Sequence, residues 1–281
     1  MSFGLCLAGG GVKGAAHIGA IKAIEETGLK IDYIAGTSSG SIVASLYAAG
    51  FSTDDIYMIF KKYCKKIKYV DFLNILKLII GLIFTGKIII DGLNSGKQLE
   101  RLINKECGKK NITNISDMKM PLLIPSVDMN TGNVLCFTSK PIRKKFEDGI
   151  IFINNANIGK AVQGSCSYPV VFSPCQFGDI KLIDGGIREN VPWKEIKLLG
   201  ADTVLNITFE DDVKESCCNN LIDVASRSIE LMCHELSNYE LDGADYTLKI
   251  RSPKIGLLDM KYIDELYKLG YEQTKLYLKN L

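Results

Sequence analysis

The stretch Tyr33-Ile34-Ala35-Gly36-Thr37-Ser38-Ser39-Gly40-Ser41-Ile42-Val43-Ala44-Ser45 constrains this chain more than any other. A short apolar run leads into Gly36, Ser38 and Gly40, spaced as Gly-x-Ser-x-Gly, and a small-residue run rich in Ala follows. The pattern predicts strand, sharp turn and helix with a serine at the apex, the layout of a nucleophile elbow. Such a serine needs a strained backbone that leaves its hydroxyl bare, with flanking residues small enough for strand and helix to meet. With this glycine and serine content the bare motif arises by chance with a probability of roughly 0.1 to 0.2, so its setting has to carry it. The competing reading is an ordinary strand-to-helix turn, with or without a phosphate at the helix N-terminus.

A second small-residue loop lies upstream. Phe3 to Ala8 is an apolar run suited to a buried strand, and Gly9, Gly10, Gly11, Val12, Lys13 and Gly14 follow at once. Ala15 to Glu26 has helical character, with Ile18, Ile21 and Ile24 near one face, and Gly28 ends it. Strand, glycine loop, helix and strand form a βαβ unit, which brings both loops to the same ends of two strands. The glycine loop has three roles open to it. Gly9, Gly11 and Gly14 match the dinucleotide fingerprint, but its ribose-binding acid belongs at the far end of the second strand, and Asp32 lies before that strand. A Walker A loop is excluded because Lys13 precedes Gly14. An oxyanion hole fits, since consecutive glycines let several backbone N–H groups point to one spot beside a helix N-terminus. The bland alternative is a tight turn with no ligand. Lys13 either adds positive charge near an anion or is simply solvated.

The chain has 281 residues, 47% of them hydrophobic, enough for one large α/β domain with no dividing linker. A formal net charge of +2 gives no global argument for nucleic acid. Nine cysteines lack metal-like or paired spacing, and Cys217 and Cys218 are too close for an ordinary bridge, which points to a reduced, cytoplasmic protein. No signal-peptide pattern opens the chain. The two histidines, His17 and His234, limit the options for a catalytic triad.

Further along, Phe51 to Lys68 reads as a helix ending in Lys61, Lys62, Lys65, Lys66 and Lys68. The very apolar stretch from Phe72 to Ile90 is too interrupted for a confident membrane span. Beside the lysines it fits either a surface that docks on anionic lipid, or a mobile lid, or a core helix with a solvated lysine face. A strand from Pro121 to Met129, a turn fixed by Asp128 and Thr131, and a returning strand from Val134 to Phe137 come next. Ile158 to Ser165 is helical, a hairpin turns at Gly178-Asp179, and its second strand delivers Asp184-Gly185-Gly186 with Asn190 and Pro192. Asp184 lies either bare in a cleft or in a plain Asp-Gly turn. A strand from Ala201 to Ile207, a helix from Asn220 to Leu236, a strand from Tyr246 to Ile250 and a helix from Lys261 to Leu281 complete the pattern. The alternation predicts a mostly parallel sheet covered on both faces.

Taken in order, these blocks resemble the patatin-like phospholipases. Gly9 to Gly14 is similar to that family's oxyanion loop, and Gly36-Thr37-Ser38-Ser39-Gly40 to its elbow. Asp128 to Phe137 and Ser165 to Pro174 are similar to two structural blocks, and Asp184-Gly185-Gly186 with Asn190 and Pro192 to its acid motif. The region from Phe51 to Lys119 matches nothing specific. The resemblance implies an α/β three-layer sandwich with a mostly parallel central sheet, as one domain over residues 1–281. It implies a Ser38–Asp184 dyad without histidine, an oxyanion hole from the Gly9–Gly14 loop, and cleavage of lipid esters without cofactor or metal. The partners it implies are the lipid substrate and a peripheral membrane contact, with no nucleic acid. His17 is then structural, and His234 belongs to surface or packing. Rival readings are a catalytically silent lipid-binding protein on the same fold and a nucleotide-binding α/β protein.

Overall fold

A computed structural model describes residues 1–66, 74, 76, 77, 80, 83, 84, 86, 87, 90–142, 149–211, 221–253, 255, 256 and 259–280. The chain opens with β1 (Phe3–Leu7), α1 (Gly14–Glu26), β2 (Tyr33–Gly36), α2 (Ser39–Ala48), α3 (Thr53–Lys66) and α4 (Lys97–Gly108). The antiparallel pair β3 (Leu122–Asp128) and β4 (Val134–Thr138) follows, then β5 (Ile150–Ile153), α5 (Ile158–Ser165), β6 (Cys175–Phe177) and β7 (Ile180–Asp184). It continues through α6 (Trp193–Leu199), β8 (Thr203–Asp211), α7 (Leu221–Glu240), β9 (Tyr246–Ser252) and α8 (Ile263–Lys279).

The strands join in the order β5-β4-β3-β2-β1-β8-β9, with β7 paired to β3 and β6 to β7. Pairings β1–β2, β1–β8, β2–β3, β4–β5 and β8–β9 are parallel, so the sheet is mostly parallel as expected. Alternation along β1 explains the layers. Leu5 and Leu7 point into a large apolar cluster shared with α1 to α5 and α8, while Cys6 and Ala8 point into a smaller one against α6. A strand buried on both faces reads as one continuous apolar run, as Phe3 to Ala8 does. β1 and β2 are parallel neighbours, so the glycine loop and the elbow leave the sheet at the same edge.

Two elements were not legible in the sequence: β5 spans four residues and α6 seven, both too short for periodicity to register. β8 runs to Asp211 rather than Ile207, because β9 pairs with it residue by residue through Ser252. The turn at Asp128 is as expected, with Thr131 Oγ donating to Asp128 Oδ2 at 2.6 Å. Cys217 and Cys218, and much of the stretch from 72 to 90, lie outside the described residues. Among the described residues no helix is long and apolar enough to cross a membrane.

Candidate active site

Ser38 stands between β2 and α2 with φ 50° and ψ −123°, a conformation that costs a non-glycine residue about 1–3 kcal/mol. The surroundings enforce it. Ser38 N–H donates to Ser165 Oγ at 3.0 Å, and Ser38 O accepts from the backbone N–H of Ser41 at 2.8 Å and from its Oγ at 2.6 Å. Gly36 and Gly40 let strand and helix touch: a Cβ on Gly36 would stand 2.3 Å from Gly40 O, and one on Gly40 2.2 Å from Leu7 O. The spacing thus reports a real elbow, with its serine half-buried and its neighbours packed shut.

Asp184 ends β7, opposite Ser126 of β3. Its Oδ2 accepts from Ser38 Oγ at 2.7 Å, and its Oδ1 accepts from Gly186 N–H at 2.9 Å. This is no exposed hairpin turn: the side chain caps a short 3-10 turn, Gly185–Ile187, and is 3% exposed. Burial pushes its carboxyl up to about 7, against the two hydrogen bonds that favour the anion.

The glycine loop passes directly beside the pair. Gly9 N–H donates to Asn190 Oδ1 at 2.8 Å, Lys13 N–H to Gly10 O at 3.1 Å, and Gly14 N–H to Gly11 O. The amides of Gly10, Gly11 and Val12 have no acceptor among the described residues. Lys13 is buried at 4% exposure, its Nζ 6.0 Å from the centre of the Phe209 ring, so the solvated alternative does not hold. Asp32 sits at the start of β1, accepting from Phe3 N–H at 3.1 Å and pairing with Lys30 at 2.9 Å. No ribose-binding acid stands by the loop from that source.

Ser38, Asp184 and the loop line one cavity of about 760 Å³. Phe60, Tyr63, Leu93, Leu99, Val171 and Phe172 contribute apolar lining. α7 closes another side with a polar face that includes Arg227, Glu230 and His234, and Arg227 pairs with Glu230 at 2.9 Å. His234 is exposed, as a surface residue should be, yet it also lines this cavity. His17 is fully buried, with Nε2 2.8 Å from Ala8 O, and burial lowers it to about 4. Neither ring is hydrogen-bonded to Ser38 or Asp184 among the described residues.

Several neighbours gave no signal as site residues in the sequence. Ser165 was legible as the end of a helix, but not as the acceptor that holds Ser38. Cys166 lines the cavity with its Sγ 3.7 Å from Ser41 Oγ, and burial holds its thiol far above the usual range. The Glu240 carboxylate accepts from the N–H groups of Asn190 and Val191 at 3.0–3.1 Å, and no motif links those positions. Burial pushes the Glu240 carboxyl above the usual carboxylate range. The seven described cysteines are all free thiols.

Residues 5–196 match the family model described as patatin-like phospholipase. A lysophospholipase of Aspergillus niger is 27% identical over 311 residues, covering 100% of this chain and 18% of that protein. One from Pyricularia oryzae is 29% identical over 219 residues, covering 76% of this chain and 13% of that protein. The chain therefore spans less than a fifth of the length of these relatives. Among solved structures, VipD from Legionella pneumophila superposes with a TM-score of 0.58 at 16% identity, covering 99% of this chain and 67% of that one. ExoU from Pseudomonas aeruginosa, solved in complex with SpcU, gives a TM-score of 0.53 at 16% identity, covering 99% of this chain and 52% of that one. The fold is thus shared at low identity, and the match across 5–196 decides the lineage: this chain belongs to the patatin-like phospholipase family.

Proposed function

We propose that the chain is a lipid acyl-ester hydrolase in which Ser38 is the nucleophile and Asp184 its general base. The observation that carries this reading is the 2.7 Å hydrogen bond from Ser38 Oγ to Asp184 Oδ2 in the wall of a large, mostly apolar cavity. Ser38 Oγ attacks the ester carbonyl carbon while Asp184 takes its proton. An ordinary aspartate, near 3.9, is too weak a base for this at neutral pH. At about 7, Asp184 is matched to it. The amides of Gly10, Gly11 and Val12 receive the developing oxyanion, at about 3 kcal/mol per donor. The alcohol leaves with the proton, and Asp184 then activates a water that attacks the acyl-serine and frees the fatty acid. The acyl chain lies along Phe60, Tyr63, Leu99 and Phe172. The lysophospholipase names of the relatives favour a phospholipid-derived ester.

We further infer that the substrate is taken from a membrane surface. Met58, Leu76, Ile80, Ile83 and Phe84 are 64%, 44%, 42%, 71% and 79% exposed, and Lys62, Lys65 and Lys77 are exposed with them. Lys61 is committed elsewhere, to Asp264 at 2.6 Å.

The test is fatty-acid release from mixed phospholipid vesicles by the purified protein, beside Ser38→Ala and Asp184→Asn. Both variants are expected to lose about 10³-fold or more in kcat while remaining folded, as read by far-UV circular dichroism. Activity retained by Ser38→Ala overturns the dyad. A silent wild type whose Ser38 also resists a fluorophosphonate probe overturns the hydrolase reading altogether.

A further inference from the structure

The peptide unit joining Ala8 to Gly9, where β1 becomes the glycine loop, is gripped on both sides. Its carbonyl, Ala8 O, lies 2.8 Å from His17 Nε2, and its N–H, on Gly9, lies 2.8 Å from Asn190 Oδ1. A carbonyl oxygen only accepts, so Nε2 carries the imidazole proton. Because a peptide unit is planar, a hold on its oxygen and another on its nitrogen fix its rotation about the chain.

Each grip is itself anchored. His17 is fully buried on α1, its ring tilted against Phe209 with centroids 4.7 Å apart. Among the described residues its Nδ1 has no partner, so the structure keeps a buried polar ring for one hydrogen bond. Asn190 donates from Nδ2 to Ser237 Oγ at 2.8 Å, and its backbone N–H meets the Glu240 carboxylate at 3.1 Å. Both partners lie on α7, so this helix reaches the loop through Asn190. The clamp also abuts the nucleophile: a Cβ on Gly9 would stand 3.0 Å from Asn190 Oδ1 and 3.0 Å from Ser38 Cβ.

We propose that His17 and Asn190 are positioning residues for hydrolysis, fixing the Ala8–Gly9 peptide so that the amides of Gly10, Gly11 and Val12 face the oxyanion. The inference rests on the hydrolase reading above and goes beyond it: residues that touch no substrate set the transition-state donors.

The test compares His17→Phe, His17→Gln, Asn190→Ala and the His17→Phe/Asn190→Ala pair with the wild type. Phe keeps a ring against Phe209 and loses the donor, and Gln restores a donor at similar reach. His17→Phe and Asn190→Ala are each expected to lose about 10²-fold in kcat, the size of a lost oxyanion donor, with KM little changed. His17→Gln recovers most of the loss. Because both variants release the same peptide, the double variant is no slower than the worse single. Amide hydrogen exchange over residues 9–14 accelerates in both singles, a readout that needs no turnover. Unchanged kcat in folded variants, unchanged exchange, or losses that multiply would overturn the clamp. Asn190 is only half-buried, so its variant carries the test if the core change at His17 impairs folding. Ser38→Ala runs alongside: if it stays active, the dyad assignment falls while the exchange data still decide the clamp.

Discussion

Asp184 is a carboxyl group that folding makes less acidic, and that one change has two consequences of opposite value. In the proposed reaction Asp184 must be ionised to accept the Ser38 proton. With Asp184 at about 7, kcat/KM is expected to rise with pH through about 7 and level off above it. A pH–rate profile that is already flat at pH 5 contradicts the burial account. For stability the sign is reversed. The folded group holds its proton up to about 7, whereas the unfolded one releases it near its ordinary 3.8. The contribution is intact below the unfolded value, falls as pH rises, and is gone above about 7, a change on the order of 4 kcal/mol for a group so fully buried. The thermal midpoint of Asp184→Asn is therefore expected to gain on the wild type between pH 4 and pH 8, and equal gains at both pH values would refute this. His17 acts in the other direction. Its folded value of about 4 lies below the ordinary 6.5, so stability is lost as pH falls through that window. Ser38 was legible because its backbone demand writes a glycine pattern around it. The burial of Asp184, and hence its acidity, depends on β3 and the elbow closing over it, which no local pattern reports.

Among the elements, α1 and α8 pack closest, and glycine is the reason. A Cβ on Gly19 would stand 2.0 Å from Tyr267 O, and one on Gly270 2.0 Å from Ala16 O, so the two backbones are in contact. Alanine is the better helix former by about 1 kcal/mol. Here sterics win, because the obstacle is backbone and cannot move aside as a side chain does. Gly19→Ala and Gly270→Ala are each expected to lower unfolding stability in urea by about 1–3 kcal/mol net. An increase of about 1 kcal/mol instead would mean the helices are not in contact. This interface also bears on the site, since α1 carries His17 and follows directly on the glycine loop. The sequence exposed the isoleucine face of α1, through Ile18, Ile21 and Ile24, because apolar periodicity is visible in one helix alone. The glycine face makes sense only with the partner helix in place, which is far away in the chain.

At the scale of the whole molecule, strand order was legible where it decides function. The βαβ unit forces the glycine loop and the elbow to one edge of the sheet, and the five matching blocks follow in chain order within the sequence. What the sequence left open was which face meets lipid, and α3 now argues for an answer. Phe60, Tyr63 and Cys64 line the cavity, while Met58, Lys62 and Lys65 are exposed on the same helix. One helix thus offers a cavity-lining side at i, i+3 and i+4 spacing and a basic outer side. A basic residue near an anionic surface contributes about 1 kcal/mol, and its reversal removes more than that. Lys62→Glu with Lys65→Glu is expected to weaken co-sedimentation with anionic vesicles by at least about tenfold. That loss shrinks at high salt, where screening has already weakened the attraction. Ile83→Ser with Phe84→Ser removes apolar contact instead, so its loss persists at high salt. Both pairs lie outside the dyad and the glycine loop, so hydrolysis of a soluble short-chain ester remains near the wild-type rate. Undiminished vesicle binding by both pairs would place the lipid-facing surface elsewhere, and the exposed apolar residues of α7, such as Leu231 and Met232, would be substituted next.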